Sequence, residues 1–167
     1  MNTAKYDVVV LGIGGMGSSA CYHLSKRGFK VLGLEQYKIG HNRGSSHGET
    51  RIIRKAYFEH AHYIPLLNRS YDLWRDLEKE SKESIFIQNG IVIFADPKTS
   101  TVYRGAVESA QKYNIQLEEL NYTTAQKRFP IFKPPKNHAA IYEPTGGFLY
   151  VEKAVQAASR SLDSWKK

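Results

Sequence analysis

A single cysteine, Cys21, stands in a chain of 167 residues. No internal disulfide framework can form, and a reducing compartment, the cytoplasm, is expected. No apolar run approaches the roughly 20 residues of a membrane span. A signal peptide is not expected either, because residues 1–5 lead straight into an apolar strand. Basic residues outnumber acidic ones, 24 Lys+Arg against 16 Asp+Glu for a net charge of +8. They are scattered rather than gathered into the stripe that nucleic acid requires, so neither nucleic acid nor a membrane is an expected partner. His41, His60 and His62 have no cysteine or carboxylate cluster to complete a four-ligand set, so no metal is expected. Ser18-Ser19 sits too early in the chain to be a hydrolase nucleophile elbow. Internal repeats and low-complexity segments are absent as well.

What is present begins at once. Tyr6-Asp7-Val8-Val9-Val10-Leu11 reads as a short apolar strand, and Gly12-Ile13-Gly14-Gly15-Met16-Gly17 follows as a G-x-G-x-x-G. Residues 18–27 read as a helix closed by Gly28, and residues 29–34 as a second strand ending at Glu35. Strand, glycine turn, helix, strand and terminal acid form the dinucleotide fingerprint in order. Pyrophosphate is anionic and lies against backbone N–H groups at a helix N-terminus. Gly12 permits the tight turn, Gly14 lets the backbone approach the phosphates, and Gly17 lets the helix sit close on the sheet. Glu35 is placed to bond both hydroxyls of an adenosine ribose, which disfavours a 2′-phosphate. These residues suit FAD and NAD alike.

Residues 36–48 are rich in Gly, Ser, Asn and His and read as a loop. Residues 49–57 suit a short helix, with Arg51 and Arg54 projecting from one face. Apolar residues at Ile64, Leu67, Tyr71, Trp74 and Leu77 predict an amphipathic helix over 62–82. Gln88-Asn89-Gly90 between two apolar runs predicts an antiparallel hairpin of 85–87 with 91–94. Thr99 or Ser100 should cap a helix running to about Tyr113. Strand-like residues follow at 115–120, then a short helix over 123–129 stopped by Pro130. Residues 139–142 read as a strand, with 148–150 continuing the pairing. A final helix is expected from Val151 to about Trp165. One βαβ unit without a third parallel strand cannot bury both faces of its sheet, so the chain reads as part of a larger protein.

The stretch Gly44-Ser45-Ser46-His47-Gly48-Glu49-Thr50-Arg51-Ile52-Ile53-Arg54-Lys55-Ala56-Tyr57 resembles a hallmark of the sarcosine-oxidase and N-methyltryptophan-oxidase group. That group belongs to the FAD-dependent D-amino-acid-oxidase-like family. The resemblance continues through Tyr63-Ile64-Pro65-Leu66, Lys127-Arg128-Phe129-Pro130 and Glu143-Pro144. It covers nearly the whole chain, but about the first two-fifths of a family member.

The fold it implies is α/β: an incomplete FAD-binding Rossmann-type βαβ unit with part of an α+β substrate domain containing an antiparallel hairpin. The expected division is 1–60 for the FAD-binding unit and flavin-contacting loop, 61–150 for the partial substrate domain, and 151–167 for a helix returning to the first part. The implied activity is oxidation of a secondary, N-methylated amino acid to an imine, with O₂ reduced to hydrogen peroxide. The intact parent is expected to be the enzyme and this portion inactive alone, its partner being the missing C-terminal part.

By the same resemblance, Gly12, Ile13, Gly14, Gly15, Met16 and Gly17 match the FAD pyrophosphate loop, and Glu35 with Gln36 the ribose end. His41, Gly44, Ser45 and Ser46 match the loop that wraps the cofactor. His47 and Arg51 match residues near the flavin ring, and Arg54 the arginine holding the substrate carboxylate. Ser46 and Lys55 depart from the pattern, standing where relatives often carry histidines. Cys21 is not the family's flavin-tethering cysteine. The alternatives are an NAD-dependent dehydrogenase-type domain and a non-enzymatic nucleotide-binding fragment.

Overall fold

The computed structural model describes residues 5–160 and 165–166. The chain forms two compact units. The first comprises Met1–Arg51, Trp74–Phe86 and Leu149–Lys167, and the second Ile52–Leu73 and Ile87–Phe148.

The first unit opens with β1 (Val8–Leu11), α1 (Gly15–Lys26) and β2 (Val31–Leu34). β1 and β2 pair in parallel, with Val8 opposite Val31 and Leu11 opposite Leu34. Gly28, at φ +86°, supplies the left-handed residue that ends α1, and its N–H donates to Ser25 O. α5 (Val151–Ser159) packs on α1 through an alanine-rich face. Ala154, Ala157 and Ala158 are buried with Tyr22, Leu77 and Ile85, and small side chains let the helices approach closely. A second cluster of Ile13, Cys21 and Val31 seals α1 against the strands. Burial pushes the Cys21 thiol above its ordinary value, as expected for a packing residue.

The final helix is shorter than the sequence predicts. α5 stops at Ser159, and Trp165–Lys166 is a strand, β9, parallel to β2 with Gly33 opposite Trp165. A third parallel strand is therefore present, in the order β1-β2-β9. The α5 segment thus serves as the crossover that any parallel partner of β2 requires. The predicted helical residues 161–164 lie outside the described residues.

In the second unit, β5 (Ile91–Ala95) and β6 (Glu118–Leu120) flank β7 (Ala139–Glu143) in one antiparallel sheet. α3 (Thr101–Tyr113) starts where Ser100 Oγ accepts from Tyr103 N–H (3.2 Å) and ends at Asn114 in the left-handed region, as the sequence predicts. α4 (Tyr122–Arg128) is capped by Asn121. Tyr103 and Ala106 of α3 bury Ile141 of β7 together with Ala56. Four further elements contain points where the chain passes from one unit to the other: β3 (Thr50–Ile53), α2 (Ile64–Ser81), β4 (Phe86–Ile87) and β8 (Gly147–Tyr150).

Two local expectations give way. Residues 85–94 do not close a two-stranded hairpin, because β4 and β5 belong to different sheets. Gly90 is left-handed at φ +79°, but its N–H donates to Gly146 O (3.0 Å) rather than across a hairpin. Strand-partner choice here is set by distant residues, since Ile91 through Ala95 find Glu143 through Ala139. Likewise β8 does not continue the pairing of β7 but joins another sheet.

The short helix expected over 49–57 is also absent. Gly48 (φ +91°) and Glu49 (φ +62°) turn the backbone into β3. Thr50, Ile52 and Ile53 are β-branched and favour extended geometry. The shared helical face for Arg51 and Arg54 disappears with that helix.

Candidate cofactor site

The glycine turn and the following loop enclose a cleft of about 590 Å³ in the first unit. Gly12, Ile13, Gly14, Gly15, Met16 and Gly17 line it together with His41, Gly44, Ser45 and Ser46. Every one of these was singled out by the sequence. Leu11, Ala20, Gly40 and Val155 complete the lining.

Each glycine has a distinct reason. Gly12 holds φ +84°, and its N–H donates to Leu34 O (2.8 Å), so the turn leaves the sheet edge without a side chain. A Cβ on Gly17 would lie well inside contact distance of Gly12 O, so only glycine lets α1 start this close to the turn. At Gly14 an added Cβ would meet only Ser46 Oγ, at 3.5 Å. That position is open toward the cleft.

The first intrahelical-type bond runs from Ser18 N–H to Gly14 O (2.9 Å). The N–H groups of Gly15, Met16 and Gly17 precede it and have no carbonyl partner within the helix. Gly15 N–H reaches Ser46 Oγ at 2.9 Å, so the loop touches the helix end directly.

Glu35 is 7% exposed at the end of β2. Ile13 N–H donates to its Oε2 (2.8 Å) and Tyr37 N–H to its Oε1 (3.1 Å), while His41 Nε2 lies 3.4 Å from Oε1. Burial opposes ionisation, yet the Ile13 and Tyr37 N–H groups and the His41 ring outweigh it and hold the carboxyl below its usual range. Two ionised oxygens offer about four acceptor sites, so the backbone donors leave capacity for hydroxyl ligands. Gln36 is exposed beside it.

The loop over 44–51 is braced by its own arginine. Arg51 Nη1 donates to Thr50 O (2.8 Å) and Nη2 to Ser45 O. Gly48 N–H (2.7 Å) and Glu49 N–H (3.2 Å) both donate to Glu152 Oε1, while Val151 N–H donates to Glu49 O (2.9 Å). His47, half-buried, rides on this loop. Gly40 lies against Gln156, whose Nε2 would sit 2.9 Å from an added Cβ. Glu152, Val155 and Gln156 fall at i, i+3 and i+4 on α5, one helical face turned toward residues 40–49. Sequence reasoning missed this wall, because no local pattern announces a contact across about a hundred residues.

Arg54 lies in the second unit. Its guanidinium meets the Glu59 carboxylate, with Nη2 at 2.9 Å from Oε1 and 3.2 Å from Oε2. The rings of Tyr57 and Phe58 each lie 4.5 Å from its Cζ, and the side chain is 15% exposed. Glu143, 2% exposed, accepts from Lys55 N–H (2.8 Å), Ala56 N–H (2.9 Å) and Thr145 Oγ1–H (2.8 Å). It thereby fixes the backbone immediately after Arg54. Among the described residues no group of three or more His, Cys, Asp or Glu could hold a metal ion. No described helix is long and apolar enough to cross a membrane.

Monomeric sarcosine oxidase from Streptomyces avermitilis is 43% identical over 152 residues, covering 91% of this chain and 39% of its own length. Its counterpart from Bacillus sp. is 39% identical, over 93% and 40%. N-methyl-L-tryptophan oxidase from Yersinia pestis is 38% identical, over 94% and 42%. The chain thus spans about two-fifths of the length of these relatives. Among solved structures, NikD, an amino acid oxidase essential for nikkomycin biosynthesis, shares the fold with a TM-score of 0.83 at 24% identity, covering 98% of this chain and 43% of NikD. L-proline dehydrogenase from P. horikoshii matches at 0.77 and 24% identity, over 97% and 43%. The family described as FAD dependent oxidoreductase matches residues 7–164, and the chain belongs to it.

Proposed function

We propose that this chain is the FAD-binding portion of an oxidase for secondary, N-methylated amino acids of the sarcosine kind. The observation that carries the reading is the cleft itself: a glycine turn whose helix-start N–H groups lack intrahelical partners, backed by the Glu35 carboxylate. Bound FAD supplies a two-electron acceptor, so that the amine loses two electrons and two protons to become an imine while O₂ becomes hydrogen peroxide.

The chain's own residues bind and orient. The N–H groups of Met16 and Gly17 receive pyrophosphate at the start of α1, and Glu35 beside Gln36 receives ribose hydroxyls. His41, Gly44, Ser45 and Ser46 cover the cofactor. His47 and Arg51 neighbour the flavin ring, where a cation favours added negative charge. Arg54 grips the substrate carboxylate, a task its planar fork already performs on Glu59. The same reading assigns residues 1–60 to cofactor binding, 61–150 to the substrate side, and the segment from 151 to a return to the cofactor. Activity would draw on residues beyond this chain's share of the relatives' length. A cytoplasmic setting belongs to the proposal, supported by the single buried thiol.

Gly14→Val tests the cofactor assignment. An added Cβ there meets only Ser46 Oγ, at 3.5 Å, so the chain should fold and melt as before while losing FAD binding. Quenching of FAD fluorescence reads the affinity. Equal FAD binding by the variant, or preference of the wild-type chain for NAD, would overturn the assignment.

A further inference from the structure

The bonds between α5 and the cofactor loop do more than fill space. Glu49 is a non-glycine residue in the left-handed region (φ +62°), preceded by Gly48 at φ +91°. Such a conformation persists only where its surroundings impose it. Here the surroundings are Glu152 and its neighbour. One carboxylate oxygen collects the N–H groups of two successive residues, and Val151 N–H returns a bond to Glu49 O. Burial works against the charge on Glu152, but the N–H groups of Glu49 and Gly48 and the nearby His47 outweigh it and keep the carboxyl below its usual range. An ionised acceptor makes these bonds stronger than neutral ones.

The latched residues sit between the groups that matter. Ser46, whose Oγ contacts Gly15 N–H in the cleft, lies two positions before Gly48. Arg51 lies two positions after Glu49, its guanidinium already turned back onto Ser45 O and Thr50 O. The loop is therefore fastened at two helix starts, to α1 through Ser46 and to α5 through Glu152.

We propose that Glu152 is a positioning residue for the cofactor. It holds residues 46–51 in the conformation that closes over FAD and presents His47 and Arg51 to it. This rests on the FAD reading above and extends it to a residue outside the glycine turn and the loop. Without the latch the loop samples open states, and apparent affinity falls by the fraction that remains competent.

The test uses the 167-residue chain as wild type, Glu152→Ala and Glu152→Gln. Affinity for FAD is read by fluorescence quenching, and amide hydrogen exchange at Gly48 and Glu49 is followed without FAD. The alanine variant should bind FAD roughly tenfold more weakly and exchange both amides faster. The glutamine variant keeps an amide oxygen at the same reach, so it should recover most of the affinity and protection. A general loss of packing would not be rescued in this way. If the alanine variant does not fold, the glutamine variant decides: its neutral, weaker acceptor should exchange the Gly48 and Glu49 amides measurably faster than wild type, and wild-type exchange would count against the latch. Wild-type affinity and exchange in Glu152→Ala would overturn the proposal. A wild-type chain that ignores FAD would sink the cofactor reading instead, and exchange alone would then decide the latch.

Discussion

The cofactor cleft and the Arg54 segment both rely on carboxylates that accept backbone N–H groups, and they use them differently. In the first unit Glu35 and Glu152 stand at element ends, beside the cleft, and each has an ionisation favoured by the donors it collects. In the second unit Glu143 is buried outright, with three donor groups and no cation among its hydrogen-bond partners. The cleft is thus a surface whose donors face outward for an anion, whereas the segment after Arg54 has its donors consumed internally. In that segment Glu59 holds the Arg54 guanidinium. On the proposed reading, the backbone-built site would receive phosphate and the side-chain-built site a carboxylate.

Removing Glu143 should break the comparison most severely. Glu143→Ala leaves the buried Ala56 N–H and the Lys55 N–H without an acceptor, and each unsatisfied buried donor costs about 1–3 kcal/mol. A loss of about 3 kcal/mol in urea denaturation at neutral pH is expected. Glu143→Gln, which retains one acceptor oxygen, should lose about half of that. A loss below about 0.5 kcal/mol in the alanine variant would mean that water or the backbone replaces the carboxylate, and the contrast in burial would lose its meaning.

How much of this was legible beforehand follows the same division. The glycine turn and Glu35 could be read because the fingerprint is local: a turn, a helix start and a strand end within thirty positions; the loop residues were assigned only by the family resemblance. Ser100 at the start of α3 was readable for the same reason. The strand-pairing failures are nonlocal. Asn89-Gly90 looks like a hairpin turn, but β5 pairs with β7 some fifty residues on, and Gly146 takes the Gly90 N–H. The charged stretch around Arg51 has a helix-like rhythm, but left-handed Gly48 and Glu49, held by Glu152, commit it to a strand. Glu59, Glu143 and Glu152 carry no signature as partners, because any solvated helix or turn has glutamates.

Acid should separate the two regions next. The folded-state pKa of Glu35 lies below its ordinary 4.5, so its stabilisation is fully present above that value. It is lost as pH falls through the lowered folded-state value, since the unfolded chain then binds the proton first. Glu35→Gln should cost about 1.5 kcal/mol at neutral pH, the scale of hydrogen bonds to a charged group, and should flatten the decline of stability below 4.5. Thermal melts of both proteins across that range check it. Parallel curves for the two proteins would show that the Ile13 and Tyr37 bonds do not depend on the charge.

The smallest expected change in stability carries the sharpest information about substrate. The Arg54–Glu59 pair has one partner mostly shielded and the other 41% exposed, and pairs open to solvent contribute about 0–1 kcal/mol. Glu59→Gln should therefore shift stability by less than about 0.5 kcal/mol. Its effect on Arg54 should be larger, because a bidentate carboxylate contact is exchanged for a neutral amide that competes poorly for the fork. Titrating the chain with sarcosine, while following the Arg54 side-chain N–H resonances, should show tighter binding in Glu59→Gln than in wild type by roughly threefold or more. Glycine amide, which lacks a carboxylate, should bind neither protein. If sarcosine affinity is the same with and without the Glu59 charge, then Arg54 is a structural cation held by Tyr57, Phe58 and Glu59. The substrate carboxylate would then have to be met elsewhere.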